Sequence, residues 1–422
     1  MANAILTPTQ ITREGLRILH QKLNFVGNVN RQYDNRFAQS GAKIGTSLNI
    51  RMPSKYTVRT GATLVAQDHV ERSTPLNCSS QYGVDVSFTT VDLTMSLDDF
   101  SKRFIEPAMA QLGAKIESDC LTDAYKLVAN YVNATTNAKM TYAYFQGAGA
   151  KLARELSPLT SRMALLNPAS KVEFLDAVKG LFNAQDALAK GFKEGMLGRT
   201  GGFDVYENTL LPSHTTGTLA GSSVAFGESA LTTTTANSWV SQTTISCTGA
   251  TSATTLKAGD IITISYHYAA HPESKANTGR LRTFVVQSNL TMTTAATTYQ
   301  IVVKPGIMTG TGNGYQNVVL SGATVASGAA VTLVGAVGVA FAQDLFFHED
   351  AFCFATADLE DVSKYGAWGA RDTMDGISMR IARQYAIASD TVPCRIDVLA
   401  GFGGLYPELA VRHMTTDSLL IV

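Results

Sequence analysis

The sequence predicts an α+β protein in which a small antiparallel β-barrel is inserted into a body of mixed helices and strands. Between Leu211 and Ala340 the chain has only eight Asp, Glu, Lys or Arg residues and is rich in Thr, Ser, Gly, Ala and Val. That composition favours short strands and turns. Candidate strands recur through this block at even spacing, as in a small barrel or sandwich. The flanking segments hold most of the charge and a long amphipathic helix, so together they predict a further core.

Length and charge limit the possible classes of protein. At 422 residues the chain exceeds the ~250–300 residues at which a single core stops growing, so two or three cores are expected. Its 34 basic and 34 acidic residues cancel, which gives no field for wrapping nucleic acid or docking on an anionic membrane. The N-terminus lacks the regions of a secretion signal, and no stretch approaches the ~18–20 apolar residues of a membrane span. We therefore expect a soluble protein, made in the cytoplasm, without a membrane partner.

The first element predicted is a helix in an N-terminal arm. Thr7 can cap it, Pro8 fits its first turn, and Gln10 completes a capping box. Apolar residues then lie on or near one face: Ile11, Leu16, Leu19, Leu23 and Val26. The pattern indicates an arm that packs on another surface and buries little in an isolated monomer.

A long excursion follows between two predicted strands, at 47–52 and 84–94. Residues 53–82 are rich in turns and charge and contain few core residues; the charged ones include Lys55, Arg59, Asp68, Glu71 and Arg72. An excursion of ~30 residues without its own core is uncommon in a compact domain. It is either disordered or lies on a neighbouring molecule.

Residues 107–132 predict the longest helix. Pro107 fits a helix start, and apolar and charged residues then take opposite faces. A buried strand at 163–167, a helix at 169–184 and a strand at 202–206 lead to the insertion. These elements predict a helix-backed sheet.

Six strands are predicted inside the insertion, at 242–247, 260–266, 282–287, 298–303, 317–320 and 331–334. Because they are contiguous in sequence, we expect the inserted domain to fold independently. After it, further strands are predicted at 340–346, 351–354, 379–387 and 394–400. These strands return the chain to the mixed body.

Motifs that would carry chemistry are incomplete. The five cysteines are odd in number and lack a C-x-x-C pair, which predicts reduced packing residues. His267 and His271 have the H-x-x-x-H spacing, but residues 261–268 alternate like a strand, so the two rings would not share a helical face. His348-Glu349-Asp350 lacks the second His of H-E-x-x-H and predicts a polar turn. The glycine-rich segments match no phosphate-binding pattern, so we predict no enzyme, no cofactor and no metal.

Two classes of function remain. A long excursion and an arm that bury little in a monomer favour a self-assembling structural protein, in which both complete interfaces with neighbours. The alternative is a surface adhesin or carbohydrate-binding protein that uses the inserted β-domain. That role requires clustered aromatic residues or calcium-ligating acids, and the charge-poor block has one tryptophan and few acids.

Short segments in a defined order connect the chain with a known family. Examples are FDVY before the insertion, AGDIITI and TFVV within it, and LFFHEDAF after it. The full set lies at residues 203–206, 211–212, 258–264, 283–286, 289–307, 315–318, 345–352 and 394–412. Taken together, they resemble the major capsid (coat) proteins of tailed phages, and more narrowly the subgroup with an inserted β-barrel domain. The resemblance spans nearly the whole chain.

The resemblance implies the tailed-phage major capsid fold. Within it, residues 53–82 would be an extended loop that lies on a neighbouring subunit, and residues 107–132 would be the spine helix. The domains implied are an N-terminal arm at 1–46, a peripheral domain at 47–133, an axial domain at 134–212 and 344–400, an inserted β-barrel at 213–343, and a C-terminal return to the body at 401–422.

The resemblance also implies an icosahedral shell of hexamers and pentamers that encloses double-stranded DNA without sequence-specific binding. The implied partners are further copies of the chain, a scaffolding protein, a portal protein and a decoration protein. The protein would be assembled in the host cytoplasm and reside in the virion. Subunit contacts are expected at Lys55, Arg59, Asp68, Glu71 and Arg72 in the extended loop, and at Glu228, Leu231 and Trp239 in the inserted domain.

One stretch departs from the family pattern. In the family's best-known member, a long loop of the inserted domain carries acids that join capsomers across a two-fold axis. The matching stretch here, residues 227–241, contains only Glu228 among many threonines. Either apolar or hydrogen-bonded contact through Trp239 or Leu231 replaces the charged contact, or the contact is absent.

Overall fold

The computed structural model of the chain describes most of its residues, in fifteen segments. These are 8–31, 47–64, 66–67, 69–89, 105–178, 198–219, 224–226, 238–249, 254–293, 298–310, 312–321, 328–360, 362–366, 368–374 and 376–416.

Within these segments the chain has few α-helices and many strands. The helices are α1 (Pro8–Lys22), α2 (Glu106–Tyr125), α3 (Tyr142–Arg154) and α4 (Pro168–Val178). Before the insertion the strands are β1 (Ser47–Met52), β2 (Arg72–Asn77), β3 (Ser80–Thr89), β4 (Tyr131–Val132), β5 (Arg162–Leu166), β6 (Arg199–Thr200), β7 (Phe203–Glu207) and β8 (Ser213–Thr215). Inside it they are β9 (Val224–Phe226), β10 (Thr243–Thr248), β11 (Thr254–Leu256), β12 (Ile261–Ala270), β13 (Asn277–Val286), β14 (Leu290–Met292), β15 (Tyr299–Lys304), β16 (Val318–Leu320) and β17 (Ala330–Leu333). After it they are β18 (Ala340–His348), β19 (Phe352–Ala357), β20 (Trp368–Met374), β21 (Ile377–Arg383), β22 (Thr391–Gly404) and β23 (Ala410–Thr415).

The chain divides into two compact units, and each is built from separated segments. The first contains residues 1–50, 74–121 and 352–405. Its sheet has the order β19-β22-β21-β20, and β3 pairs antiparallel along β22 from Thr89 opposite Thr391 to Ser80 opposite Ala400. Strand β22 is therefore the centre of this unit.

Helix α1 packs on strands β20 and β21 of this first unit. Leu16 and Leu19 are buried there, and a Cβ added at Gly15 would lie 2.8 Å from the Met379 side chain. The expectation that the arm buries little in a monomer is therefore wrong for α1, because its apolar stripe already has a partner in its own chain. Thr7 lies outside the described residues.

The second unit contains residues 51–73, 122–351 and 406–422. Its larger mixed sheet has the order β4-β23-β18-β5-β7-β6, with β8 also paired to β18. Helices α3 and α4 cover this sheet through a cluster of aromatic rings. Phe145 lies 4.6 Å from Phe174, 5.4 Å from Phe203 and 5.3 Å from Phe346, measured between ring centroids.

The inserted domain is a closed barrel of six antiparallel strands. The order β13-β15-β10-β9-β17-β12 closes on itself because β12 also pairs with β13, from Ile261 opposite Val285 to Ala270 opposite Asn277. Alternate residues of β12 point inward, so Ile262 and Ile264 are fully buried in the barrel core. The predicted barrel is confirmed, but one member differs. Strand β9 belongs to it, whereas the predicted strand at 317–320 is β16, which pairs outside the ring with β12.

The predicted spine helix is shorter than its apolar pattern. Helix α2 ends at Tyr125, and the apolar residues that follow serve other structures. Tyr131 belongs to β4, which pairs parallel with β23 opposite Arg412, and Asn130 donates to the carbonyl of Glu408 at 3.0 Å. Pairing with the sheet therefore replaces the last two turns of the predicted helix.

Helix α3 was not predicted from the sequence, because its glycines and alanines hide the amphipathic pattern. Thr141 caps it by accepting from the amide of Tyr144 at 3.3 Å, and Phe145, Ala148 and Leu152 form its buried face.

Candidate functional site

The predicted excursion at 53–82 is shorter in the structure, because residues 72–77 belong to β2 and residues from 80 onward to β3. The part that remains, residues 53–71, keeps the name excursion and folds back on itself as a narrow hairpin. Gln67 joins both backbone groups of Thr57, accepting from the amide at 2.9 Å and donating to the carbonyl at 2.6 Å. Nearer the root, Ser54 donates to the carbonyl of Val70 at 2.9 Å. The hydroxyl of Tyr56 lies 2.7 Å from Nδ1 of His69. These side-chain contacts replace a core, since none of the described residues from 53 to 71 is buried.

The root of this hairpin is held by Tyr315 of the inserted domain. The Tyr315 hydroxyl accepts from the amide of Lys55 at 3.2 Å and donates to the carbonyl of Val70 at 2.7 Å. One hydroxyl thus joins both arms of the excursion. The neighbouring Gly314 lies so close that an added Cβ would be 2.6 Å from the Lys55 carbonyl oxygen. The inserted domain therefore contacts the excursion by backbone and side chain together.

Arg72 closes the C-terminal arm of the excursion and is buried in its own subunit. Its guanidinium lies 5.0 Å from the ring centroid of Tyr406 and 5.7 Å from that of Trp239, within cation–π range. Its Nη1 is 3.5 Å from the carboxylate of Glu408. Because Arg72 is only 7% exposed, its surroundings are those of an anchor between the excursion and the subunit body.

The tip of the excursion is strongly exposed. Val58 is 97% exposed and Leu64 is 82% exposed, far beyond what an apolar side chain in a covered loop would show. The exposed Arg59 donates to the carbonyl of Gly61 across the tip. Together these residues form a small surface of mixed apolar and basic character.

The predicted contact residues have different surroundings. Lys55 and Arg59 are exposed, and Glu71 is an exposed carboxylate 3.5 Å from Arg51 and 3.7 Å from His69. Arg72 is buried, and Trp239 is half-buried beside it. Asp68, Glu228 and Leu231 lie outside the described residues. The role of all eight in subunit contacts stays a prediction.

The inserted domain joins the body through two adjacent chain crossings. Strand β8 leads in and β18 leads out, and they pair antiparallel with Ala340 opposite Thr215. Beside them, Nε2 of His214 lies 2.8 Å from Asp260, which also accepts from the amides of Gly217 and Lys257. The Asp260 carboxylate is buried but fully hydrogen-bonded, so it stabilises the first turn of the barrel.

Arg412 completes this junction from β23. It is fully buried and donates twice to the carbonyl of Gly259 at 3.0 Å, and once to Gln343 at 3.3 Å. Its guanidinium also lies 5.7 Å from the ring centroid of Tyr125. Burial lowers the pKa of Arg412 to about 10, so the group remains charged at neutral pH. A buried cation bound to a barrel carbonyl ties the inserted domain to the sheet.

The cysteines, His267 and the His348-Glu349-Asp350 motif lie in packed or hydrogen-bonded positions. The five cysteines are buried and unpaired, which confirms the prediction of reduced packing residues. His267 is a fully buried barrel residue whose Nδ1 lies 3.0 Å from the Ser265 carbonyl. His348, Glu349 and Asp350 lie in a short 3-10 turn with ligand atoms within 4.8 Å, but His348 already accepts from the amide of Asp350. Among the described residues, no helix has the length and apolar character needed to cross a membrane.

Comparison with known families gives one match over most of the sequence. The model of the family described as "P22 coat protein - gene protein 5" matches residues 19–415. No curated protein sequence matches the chain.

Solved structures give more distant similarities. A chain from Mycobacterium phage Che8 has 11% identity and a TM-score of 0.47, with 93% of this chain and 90% of that chain covered. A chain of the bacteriophage PhiM1 mature capsid has 12% identity and a TM-score of 0.43, with 88% and 82% covered. The CUS-3 coat protein I-domain has 22% identity and a TM-score of 0.19, with 28% of this chain and 99% of that chain covered. These TM-scores are all below 0.5, so the family match carries the assignment that follows.

Proposed function

The chain belongs to the P22 coat protein family, and on that premise we propose that it assembles through hexamers and pentamers into an icosahedral shell that encloses double-stranded DNA. Family membership identifies it as a major capsid protein, which forms the shell and is structural rather than enzymatic. A scaffolding protein guides assembly in the host cytoplasm, and a portal protein and a decoration protein complete the particle. In this proposal the arm, extended loop, spine helix and axial domain have the arrangement of tailed-phage capsid proteins.

The family match over residues 19–415 is the observation that carries this proposal. It also favours a coat protein over a surface adhesin, since it covers the body as well as the inserted domain. The excursion supplies a second line of support, because its root is anchored while Val58 and Leu64 at its tip are exposed. Covering such side chains on a neighbouring subunit would stabilise each contact by ~25 cal/mol per Å² of apolar surface buried. A shell repeats each contact many times, so a modest interface is sufficient.

Assembly of the purified chain tests the proposal directly. Negative-stain electron microscopy and light scattering would be performed with and without a co-expressed scaffolding protein from the same source. Closed uniform shells, or rings of six and five subunits, are the expected result. A monomer that persists under crowding and co-expression would contradict it.

The excursion is tested separately by replacing residues 57–67 with a short Gly-Ser linker. The replacement stops short of Arg72 because Arg72–Asn77 forms β2. We expect wild-type circular dichroism and thermal unfolding but no shells. Arg59→Glu should weaken assembly in the same way, while Arg199→Gln, an exposed change on β6, serves as the matched control. Normal shells from the linker variant would show that the excursion has no role in subunit contact.

A further inference from the structure

We propose that a cleft between helix α3 and the hairpin of β12 and β13 binds a small phosphate-type oxyanion. The cleft has a volume of about 310 Å³. Its basic side chains come from two separate elements: Lys151 and Arg154 from the last turn of α3, and Arg280 and Arg282 from β13.

The hairpin that forms one wall of the cleft has an irregular backbone. The register of β12 against β13 shifts on both sides of Tyr268, and Tyr266 has a φ of 65°. Such bulges bend a strand and redirect its side chains. Arg280 and Arg282 of this hairpin line the same cleft as Lys151, and Nη1 of Arg282 lies 2.9 Å from Glu155 at the end of α3.

The cleft has more cations than carboxylates. Its four Lys and Arg side chains face a single acid, Glu155, although the whole chain has no net charge. Glu155 is already committed, since its Oε1 lies 2.9 Å from Nη1 of Arg282. Among the described residues, no carboxylate lies within ion-pair distance of Lys151, Arg154 or Arg280. Three positive charges are thus left for an anion.

Partial burial makes the excess of positive charge in the cleft destabilising. Arg282 is only 8% exposed, and its Nε donor is buried without a hydrogen-bond partner. Burial lowers the pKa of Lys151; Glu155 opposes that effect, and the charges of Arg282 and Arg280 add to it. Like charges placed close together in a partly buried cleft repel one another. A bound anion would offset that repulsion.

The arrangement favours a phosphate-type anion over a simple halide. A guanidinium presents parallel N–H donors that match two oxygens of phosphate, and the ammonium of Lys151 adds a point charge. The dipole of α3 explains basic residues in its own last turn, but it does not explain Arg280 and Arg282 on the opposite wall. A ligand that both walls share accounts for all four.

Calorimetric titration of the full chain with inorganic phosphate, at constant ionic strength in chloride, tests the site. We expect saturable binding of one phosphate per chain. Arg280→Gln should weaken phosphate binding at least tenfold, because it removes one cation from the wall of the cleft. Since Arg280 is exposed, the variant should keep the fold. Lys151→Gln tests the other wall in the same way. The matched control Arg199→Gln should bind as the wild type does, and thermal unfolding would verify that each variant is folded.

Several results would overturn the proposal. One is the absence of saturable heat up to millimolar phosphate, and another is an Arg280→Gln variant that binds as tightly as the wild type. Equal affinity for acetate would mean that charge alone is recognised, without the phosphate geometry. Binding of duplex DNA without any binding of free phosphate would assign the cleft to a polymer surface instead.

Discussion

The excursion at 53–71 and the inserted barrel lie in the same compact unit but are stabilised in opposite ways. The barrel surrounds a continuous apolar cluster that includes Ile262, Phe284 and Val303, all fully buried. None of the described residues of the excursion is buried, and its root depends on Tyr315 and Arg72. The barrel therefore has a core of its own, whereas the excursion is held by the residues at its root. A loop of this kind can present the same tip in every copy without a core of its own.

The largest effect should come from the barrel core. Phe284→Ala removes a fully buried ring and should lower the free energy of unfolding by about 3–5 kcal/mol. Urea unfolding followed by circular dichroism measures this. The matched change in the excursion is Val58→Ala, at a 97% exposed position, which should alter stability by less than about 0.5 kcal/mol. Equal effects at the two sites would refute the contrast drawn above.

The next largest effect should come from reversing the charge at Arg72. Arg72→Glu puts a second carboxylate beside Glu408 and removes the cation from between Trp239 and Tyr406. Breaking a fully buried pair costs about 3–5 kcal/mol, and we expect about 2–3 kcal/mol here because Glu408 is partly exposed. The same urea titration applies, with the exposed Arg59→Glu as control. If both reversals leave stability unchanged, Arg72 is not an anchor.

A smaller and more local effect is expected at Tyr315. Tyr315→Phe keeps the ring but removes the hydroxyl that joins the Lys55 amide to the Val70 carbonyl, at a cost of about 1–2 kcal/mol. Hydrogen–deuterium exchange should accelerate in residues 53–71 while the barrel strands keep their protection. Tyr266→Phe, at a 46% exposed position of β12, provides the control. Unchanged exchange in the excursion would mean that its root does not depend on this hydroxyl.

A separate effect concerns pH. Burial, together with the positive charge of Lys55, lowers the pKa of Lys275 from 10.5 to about 8. Between these values the unfolded chain binds more protons than the folded chain, so the free energy of unfolding should rise as pH increases from about 8 to about 10.5. Lys275→Met should remove that part of the pH dependence, as seen by comparing unfolding curves of the two proteins across this range. Parallel pH profiles would show that folding does not lower the pKa of Lys275.

The local sequence pattern was sufficient to predict most strands of the barrel. Alternation over residues 261–268 predicted a strand, and the structure has β12 there, with Ile262 and Ile264 fully buried. The local pattern was insufficient for β9, whose three residues are too few to form a readable period. The barrel ring therefore includes a strand that is recognisable only by its pairing with β10 and β17.

The candidate site was predicted less completely. Composition identified residues 53–82 as a loop without a core, and this is confirmed only for the described residues from 53 to 71. Beyond them the chain forms β2 and enters β3, and Leu76 and Cys78 are buried. Composition did not identify Tyr315 as the residue that joins the two arms of the excursion, since nothing in the sequence near Tyr315 marks a distant loop as its partner. It also placed Arg72 with Arg59 among the charged residues expected at subunit contacts, and it gave no sign that Arg72 is buried.

Composition and periodicity thus determined that a charge-poor β-barrel interrupts an α+β body, because side-chain size, branching and charge act over a few residues. Tertiary contacts decided where helix α2 ends, which strands close the barrel, and that Arg72 lies between Trp239 and Tyr406. Burial of a polar side chain depends on partners that are remote in the chain. Long-range packing, and not local propensity, therefore determined the root of the excursion.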